Sequence, residues 1–241
     1  MQGAPYVSLS AQLTLERRLE SLALNVANMN TVGYRAAGVS FHTYVSRAGA
    51  DPVDYATAGK DYVTRTEGPL ERTDNPLDVA VQGEGFLAIQ TPAGTVYTRD
   101  GRMRMKASGE LESLAGHPIL DAGGTPLILD PTAGPPVIGG DGMITQGINQ
   151  VGALGLFQID PGARFSRYEN SGVIPDRPAS PILDFNTNGI VQGHIEGSNV
   201  NPIMEMAKMM TIQRAFESVT GGSEKNESTL KDALPILGGT S

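Results

Sequence analysis

The chain contains no cysteine, and aromatic residues make up only 5% of its 241 positions. The lack of thiols excludes disulfides, thiolate nucleophiles and sulfur-bound metal together. It fits an oxidising compartment, where a stray thiol is a liability, as readily as a reducing one. No stretch approaches about eighteen consecutive apolar residues, so no helical membrane span is expected. The opening Met1-Gln2-Gly3-Ala4-Pro5-Tyr6-Val7-Ser8-Leu9 lacks a basic segment followed by an apolar one, and no cleavable secretory signal is expected from it. Few aromatics beside 30 glycines and 16 prolines point to many turns around a modest core, in a chain long enough for one or two domains.

Cations are the scarcer charge, 18 Lys and Arg against 26 Asp and Glu, for a net charge of −8. That charge is unevenly placed. Residues 1–35 carry Arg17, Arg18 and Arg35 against Glu16 and Glu20, a sum of +1; residues 202–241 carry four cations against five anions, a sum of −1. The whole net charge therefore lies on residues 36–201. Near-neutral ends can pack beside copies of themselves without strong repulsion, while the acidic middle argues against phosphate-backbone binding, so nucleic acid is not an expected partner.

Long helical patterning is confined to the two ends. Leu15, Leu19, Leu22, Val26 and Met29 recur at steps of four, three, four and three, an apolar seam at the 3.5-residue period, with Glu16, Arg17, Arg18 and Glu20 off it. Helix-favouring residues run from about Leu9 to Asn28. Near the other end Asn201 suits an N-cap, Pro202 a first helical position, and Glu205 the positive pole of the first turn. Met206, Met209, Ile212, Phe216 and Val219 then form a second stripe, which Gly221-Gly222 is expected to stop. Each helix has one dry face and needs a partner, either the other helix or a neighbouring molecule.

Between the ends, short apolar runs alternate with turn signals about every ten residues, the pattern of an all-β unit. Leu77-Asp78-Val79-Ala80-Val81 ends at Gly83, and Phe86-Leu87-Ala88-Ile89 ends at Pro92-Ala93-Gly94. Asp100-Gly101 between two apolar runs reads as a two-residue hairpin. The weaker, more polar stretch 36–73 reads as an extended connector. The expected fold is α+β: long terminal helices, packed as a coiled-coil-like pair over 1–35 and 198–241, flank a mainly antiparallel β domain over 74–197.

Motifs that carry chemistry are weak. Gly83-Glu84-Gly85-Phe86-Leu87-Ala88 spells G-x-G-x-x-A after an apolar strand, but dinucleotide binding needs a helix N-terminus behind the glycines, and only a short run and Pro92 follow. Asp184-Phe185-Asn186-Thr187-Asn188-Gly189 opens like a calcium loop, yet the twelfth position is Ile195, which cannot supply the bidentate carboxylate. His42, His117 and His194 have no companion at metal-ligand spacing, and no serine sits in a G-x-S-x-G elbow. No catalytic, metal-binding or cofactor-binding residue is expected, and no enzyme activity.

Three segments carry a resemblance. Asn25-Val26-Ala27-Asn28-Met29-Asn30-Thr31-Val32-Gly33-Tyr34-Arg35 resembles the N-terminal signature of the flagellar rod and hook protein family, with Leu24 where that signature has its first asparagine. Asp74-Asn75-Pro76-Leu77-Asp78-Val79-Ala80-Val81-Gln82-Gly83-Glu84-Gly85-Phe86, continuing through Tyr97-Thr98-Arg99-Asp100-Gly101, is similar to its central segment. Glu196-Gly197-Ser198-Asn199-Val200-Asn201-Pro202, with Gln213-Arg214-Ala215-Phe216-Glu217, resembles its C-terminal signature. The wording is most similar to proximal-rod members; a distal-rod or hook subunit is the alternative, and a ligand-binding or enzymatic β domain with helical oligomerisation ends is the alternative of another class.

The resemblance implies a structural subunit of the periplasmic rod in the flagellar basal body. It further implies export through the flagellar type III apparatus and self-assembly, with other rod subunits, into a helical tube that transmits torque and is traversed by exported proteins. The expected interface is Leu15, Leu19, Leu22, Val26, Met206, Met209, Ile212 and Phe216. Asn25, Asn28, Asn30, Thr31 and Gly33 are expected to shape the exit from the first helix, and Tyr34 is a further position of the family motif. Asn199, Gln213 and Arg214 are the matching family positions at the other end, Arg214 as an anchor by ion pair or backbone contact.

Overall fold

In the computed structural model, which describes residues 4–46 and 53–238, both ends are helical. Helix α1 spans Ala4–Ala27 and α2 spans Pro202–Gly238. Pro5 sits in the first turn of α1, where its missing N–H breaks no intrahelical bond, and no glycine or proline follows before the helix ends. Asn201 caps α2 as its sequence position suggests: its Oδ1 accepts from the Met204 N–H at 3.2 Å.

The second helix does not stop at Gly221-Gly222. It continues through both glycines and past Pro235. A helical glycine costs about 1 kcal/mol relative to alanine, and it has no alternative hydrogen bond to offer, so two of them weaken a helix without ending it.

Among the described residues, seventeen strands lie between the helices: β1 (Ala37–Ser46), β2 (Val53–Val63), β3 (Leu70–Arg72), β4 (Val79–Gln82), β5 (Phe86–Thr91), β6 (Gly94–Thr98), β7 (Met103–Met105), β8 (Leu111–Ser113), β9 (Val137–Ile138), β10 (Met143–Gln146), β11 (Asn149–Ala153), β12 (Leu156–Gln158), β13 (Phe165–Tyr168), β14 (Gly172–Pro175), β15 (Ser180–Pro181), β16 (Gly189–Gln192) and β17 (His194–Glu196). The chain divides into two compact units. One comprises residues 1–27, 37–62 and 201–241; the other comprises 28–36 and 63–200. The stretch 36–73 is thus more than a connector, since β1 and β2 pair in the helical unit and β3 belongs to the β unit.

The β unit is built on a six-stranded sheet in the order β13-β14-β6-β5-β12-β15, accompanied by the three-stranded β11-β10-β9 and the pairs β16-β4, β17-β3 and β7-β8. Every strand pairing within it is antiparallel. Val79, Val81, Leu87, Val96, Leu111, Ile119, Ile144 and Leu156 form its buried centre, and the first three come from the apolar runs 77–81 and 86–89.

Asp100-Gly101 is not a two-residue hairpin, because β6 pairs with β5 and β14 while β7 pairs with β8. The glycine is required by proximity instead: the Gly101 carbonyl accepts from the Val79 N–H at 3.0 Å, and a Cβ on Gly101 would lie 1.9 Å from the Val79 oxygen. The stretch after Gly83 continues directly into β5 with no crossover helix. At Asp184 the carboxylate accepts from the Asn186 N–H at 3.0 Å, an Asx turn rather than a calcium loop.

Candidate assembly interface

In the helical unit α1 and α2 run antiparallel against each other. Gln12 Nε2 donates to Thr220 Oγ1 at 3.2 Å near one end, and Asn25 Nδ2 donates to Glu205 Oε2 at 3.0 Å near the other. Along the facing sides Leu22 and Ile212 are buried, and Leu15, Leu19, Val26, Met209 and Phe216 are half-buried. Met206 departs from the seam read in the sequence and stands 46% exposed. Stepping back four residues from Met209 gives Glu205, and Glu205 is the residue turned inward and buried.

Asn25 explains that exchange. Its amide answers the Ala37 backbone twice, accepting from the Ala37 N–H at 2.8 Å and donating to the Ala37 oxygen at 2.9 Å, and so pins the start of β1 to α1. The same amide donates to Glu205, whose other oxygen is 2.6 Å from Lys208 Nζ. A buried carboxylate with two donors is far cheaper than an unpaired one, which allows Glu205 to occupy a position that hydrophobicity alone would give to methionine. Arg18 lies 5.7 Å from the Phe41 ring centroid and adds a cation–π contact between α1 and β1.

Closing this seam leaves a second apolar surface uncovered. Tyr6, Leu9, Leu13 and Leu24 on α1, and Ile203, Met204, Met206 and Met210 on α2, are all exposed. Tyr6, Leu9 and Leu13 fall at steps of three and four, and so do Ile203, Met206 and Met210, on faces turned away from the seam. Gln213 and Arg214 are exposed as well, and Arg214 has no ion pair among the described residues.

In the β unit, residues 28–36 form a tight path with few alternatives. Thr31 donates through its N–H to the Asn28 carbonyl and through its hydroxyl to Asn28 Oδ1, each at 3.1 Å, while Asn30 is exposed. Gly33 has φ +69°, and a Cβ on it would sit 2.3 Å from the Asp100 nitrogen, so both conformation and space call for glycine. Tyr34 is buried, with the Arg167 guanidinium 4.4 Å from its ring centroid. Asn199 ties this path to two others: its Oδ1 accepts from the Ala36 N–H at 2.7 Å, and its Nδ2 donates to Thr64 Oγ1 at 2.8 Å and to the Thr66 oxygen at 2.7 Å.

Beneath that knot lies a charge cluster that the sequence reading missed. Glu196 Oε1 is 2.7 Å from Arg35 Nη2, and its Oε2 is 3.1 Å from Arg99 Nη1. The three residues are only 1%, 4% and 1% exposed, respectively. Burial depresses the Arg99 guanidinium most, neighbouring Arg35 depresses it further, and Glu196 restores part of the loss, leaving its pKa at about 10. A cavity of about 20 Å³ lies beside the arginines, walled mainly by Val63, Phe86, Ile159, Phe165 and Val173. Such a space holds one or two waters and is far below the few hundred Å³ of a small-molecule site. No group of residues suited to hold a metal ion occurs among the described residues.

Three family models match the chain: "Flagella basal body rod protein" over residues 6–35, "Flagellar hook protein FlgE/F/G D1 domain" over 80–146, and "Flagellar basal body rod FlgEFG protein C-terminal" over 191–220. The flagellar basal-body rod protein FlgF of Mesorhizobium japonicum is 50% identical over 241 residues, with all of both chains covered. The chain belongs to the flagellar basal-body rod protein family.

The FlgF proteins of Rhizobium meliloti, 42% identical with both chains fully covered, and of Caulobacter vibrioides, 35% identical with 99% of each covered, agree with that assignment. As a member of this rod family, the chain is a structural protein of the flagellar basal body and not an enzyme. The rod-family match over 6–35 takes in most of α1 with its turn, and that over 191–220 takes in Glu196, Asn199 and the first half of α2. Opposite charges in separate motif segments, Arg35, Arg99 and Glu196, were the signal that could have revealed the cluster from sequence. Charge in a β segment usually means solvated surface, and only the fold shows which charges go inside.

Proposed function

We propose that this chain is a proximal-rod subunit that assembles through α1 and α2, with copies of itself and with adjoining rod subunits, into a helical tube in the periplasm. The tube transmits torque and passes exported flagellar proteins through its bore, and the chain itself reaches the growing end through the flagellar type III apparatus. Within the tube α1 and α2 pack as a coiled-coil-like pair against the helices of neighbouring subunits. The FlgF relatives matched over their whole length favour the proximal position over a distal-rod or hook position.

The observation that carries this reading is the apolar surface left over once the helix pair has closed. Weighted by their remaining exposure, the eight outward residues offer a further gross gain of about 7–13 kcal/mol if neighbours cover them, at about 1.5–3 kcal/mol for each fully buried side chain. Ordering of the chain offsets part of that gain. Near-neutral helices can approach one another closely, and the absence of cysteine from the whole sequence precludes accidental disulfides during assembly.

Immunogold electron microscopy of isolated basal bodies tests the placement. Label on the cell-proximal portion of the rod supports it, and label confined to the hook or absent from the basal body contradicts it.

A further inference from the structure

We infer that Glu196 is a latch that makes docking of residues 28–36 onto the β unit conditional on β17. Arg99 is fixed by the β framework itself, donating to the Val81 carbonyl at 2.9 Å and to the Gly83 carbonyl. Arg35 arrives from residues 28–36 and donates to the Thr66 carbonyl at 2.7 Å and to that of Arg65. Each guanidinium thus has carbonyl partners of its own. Carbonyls orient a cation without neutralising it, and the two cations face the same spot.

The carboxylate that reaches both arginines belongs to the last strand of the unit. Glu196 stands 97 positions beyond Arg99 in the chain, and Arg35 stands a further 64 positions upstream of Arg99. Among the described residues no other acid lies within ion-pair distance of either arginine. Glu67 acts on Arg99 only at longer range and is exposed. Without Glu196 in place, burying Arg35 beside Arg99 would bring two uncompensated cations together in a site with almost no solvent, and that arrangement strongly opposes docking.

Once β17 pairs with β3, two hydrogen bonds and two ion pairs form together. Glu196 Oε1 accepts from the Gly68 N–H at 3.0 Å, the Glu196 main-chain oxygen accepts from the Gly33 N–H at 2.7 Å, and both arginines gain their counter-ion. Asn199, three residues on, then closes over Ala36 and Thr64. The N-terminal path cannot be held until the C-terminal strand has arrived, so the two family motifs fold as one event while the core around Leu87, Val96 and Ile119 is free to form earlier. The latch lies wholly within the β unit, so its test does not depend on assembly.

Hydrogen exchange on the purified full-length chain, comparing the native protein with Glu196→Gln, reads this directly. Glutamine keeps the size and one acceptor but removes the charge. The expected result is at least tenfold faster exchange at Gly33, Tyr34, Ala36, Gly68 and Asn199, with the amides of Gln90, Ile119 and Leu127 within about twofold of native. Uniform acceleration at all these sites, or none at any, overturns the latch. The double variant Arg35→Met, Glu196→Gln restores the native buried charge balance and covers the case in which Glu196→Gln does not fold. It is expected to fold with the protection of residues 33–36 recovered to within about threefold of native; a double variant that fails to recover it would overturn charge compensation, and with it the latch.

Discussion

Two aspartate substitutions and one truncation separate the face that closes the helix pair from the face proposed to meet neighbours. Leu13 is 54% exposed and Met210 is 55% exposed, so neither side chain has much packing to lose in the isolated molecule. Replacing either with aspartate is expected to change the stability of the purified chain by no more than about 0.5–1 kcal/mol, the scale of a surface substitution plus the lower helix propensity of aspartate. If a neighbouring helix covers these faces in the rod, as proposed, the same carboxylate is enclosed without a partner, at a cost of several kcal/mol. A loss of about 4 kcal/mol per contact weakens association about a thousandfold, and it recurs at every subunit. Leu22→Ala gives the opposite pattern. Leu22 is buried within the molecule's own helix pair, so its truncation is expected to cost about 2–4 kcal/mol before any assembly occurs. Thermal unfolding followed by circular dichroism measures the first effect, and swimming in soft agar with immunoblots of isolated basal bodies measures the second. Native swimming and native rod content in cells carrying Leu13→Asp would refute the reasoning, as would a large fall in melting temperature for that variant alone.

Two further outcomes follow from the β unit. Gly33→Ala places a side chain at φ +69° against the Asp100 backbone and is expected to destabilise the β unit by at least about 2–3 kcal/mol in urea unfolding, whereas Gly124→Ala, with open space around it but a positive φ of its own, is expected to cost only about 1 kcal/mol. Glu112, opposite Arg104 in the β7–β8 pair, has its carboxyl held below its usual pKa by Lys106 first and Arg104 next, against the opposing effect of burial. Because the folded value lies below the unfolded one, this stabilisation is whole above about pH 4.5 and fades as pH falls through the folded value, so Glu112→Gln is expected to flatten the acid limb of a stability-against-pH curve while leaving the neutral limb's slope unchanged.

Much of this architecture was legible in the residues. The 3.5-residue spacing of Leu15, Leu19, Leu22 and Val26 located α1 and its inward face, and Asn201-Pro202 marked the start of α2 almost to the residue, because cap chemistry is local. Strand existence in the middle was legible from alternating apolar runs and glycine turns. Pairing was not: Asp100-Gly101 has the composition of a hairpin turn, but whether two flanking strands pair depends on β5 and β8, which lie elsewhere in sequence. The end of α2 is not legible at Gly221-Gly222, because glycine raises the free energy of a helix without forbidding it. Hydrophobicity alone points Met206 to the seam, but Glu205 holds that place because Asn25, 180 residues away, supplies a donor to it. The buried cluster of Arg35, Arg99 and Glu196 was illegible for the same reason, since a charge is turned inward only when a distant partner makes the position tolerable.

The natural absence of cysteine makes disulfide trapping the most direct test of the claim that neighbouring subunits cover the outward helix faces. In the antiparallel pair Gln12 is level with Thr220 and Asn25 with Glu205, which places Leu9 and Met210 about 18 Å apart along the helix axes of one chain. That distance is far beyond disulfide reach, so any bond in a Leu9→Cys, Met210→Cys chain joins two molecules. Oxidation of isolated basal bodies carrying this variant is expected to give covalent dimers and longer ladders on non-reducing gels, and the dilute purified chain is expected to give none. Normal rods that yield only monomer after oxidation would contradict the account.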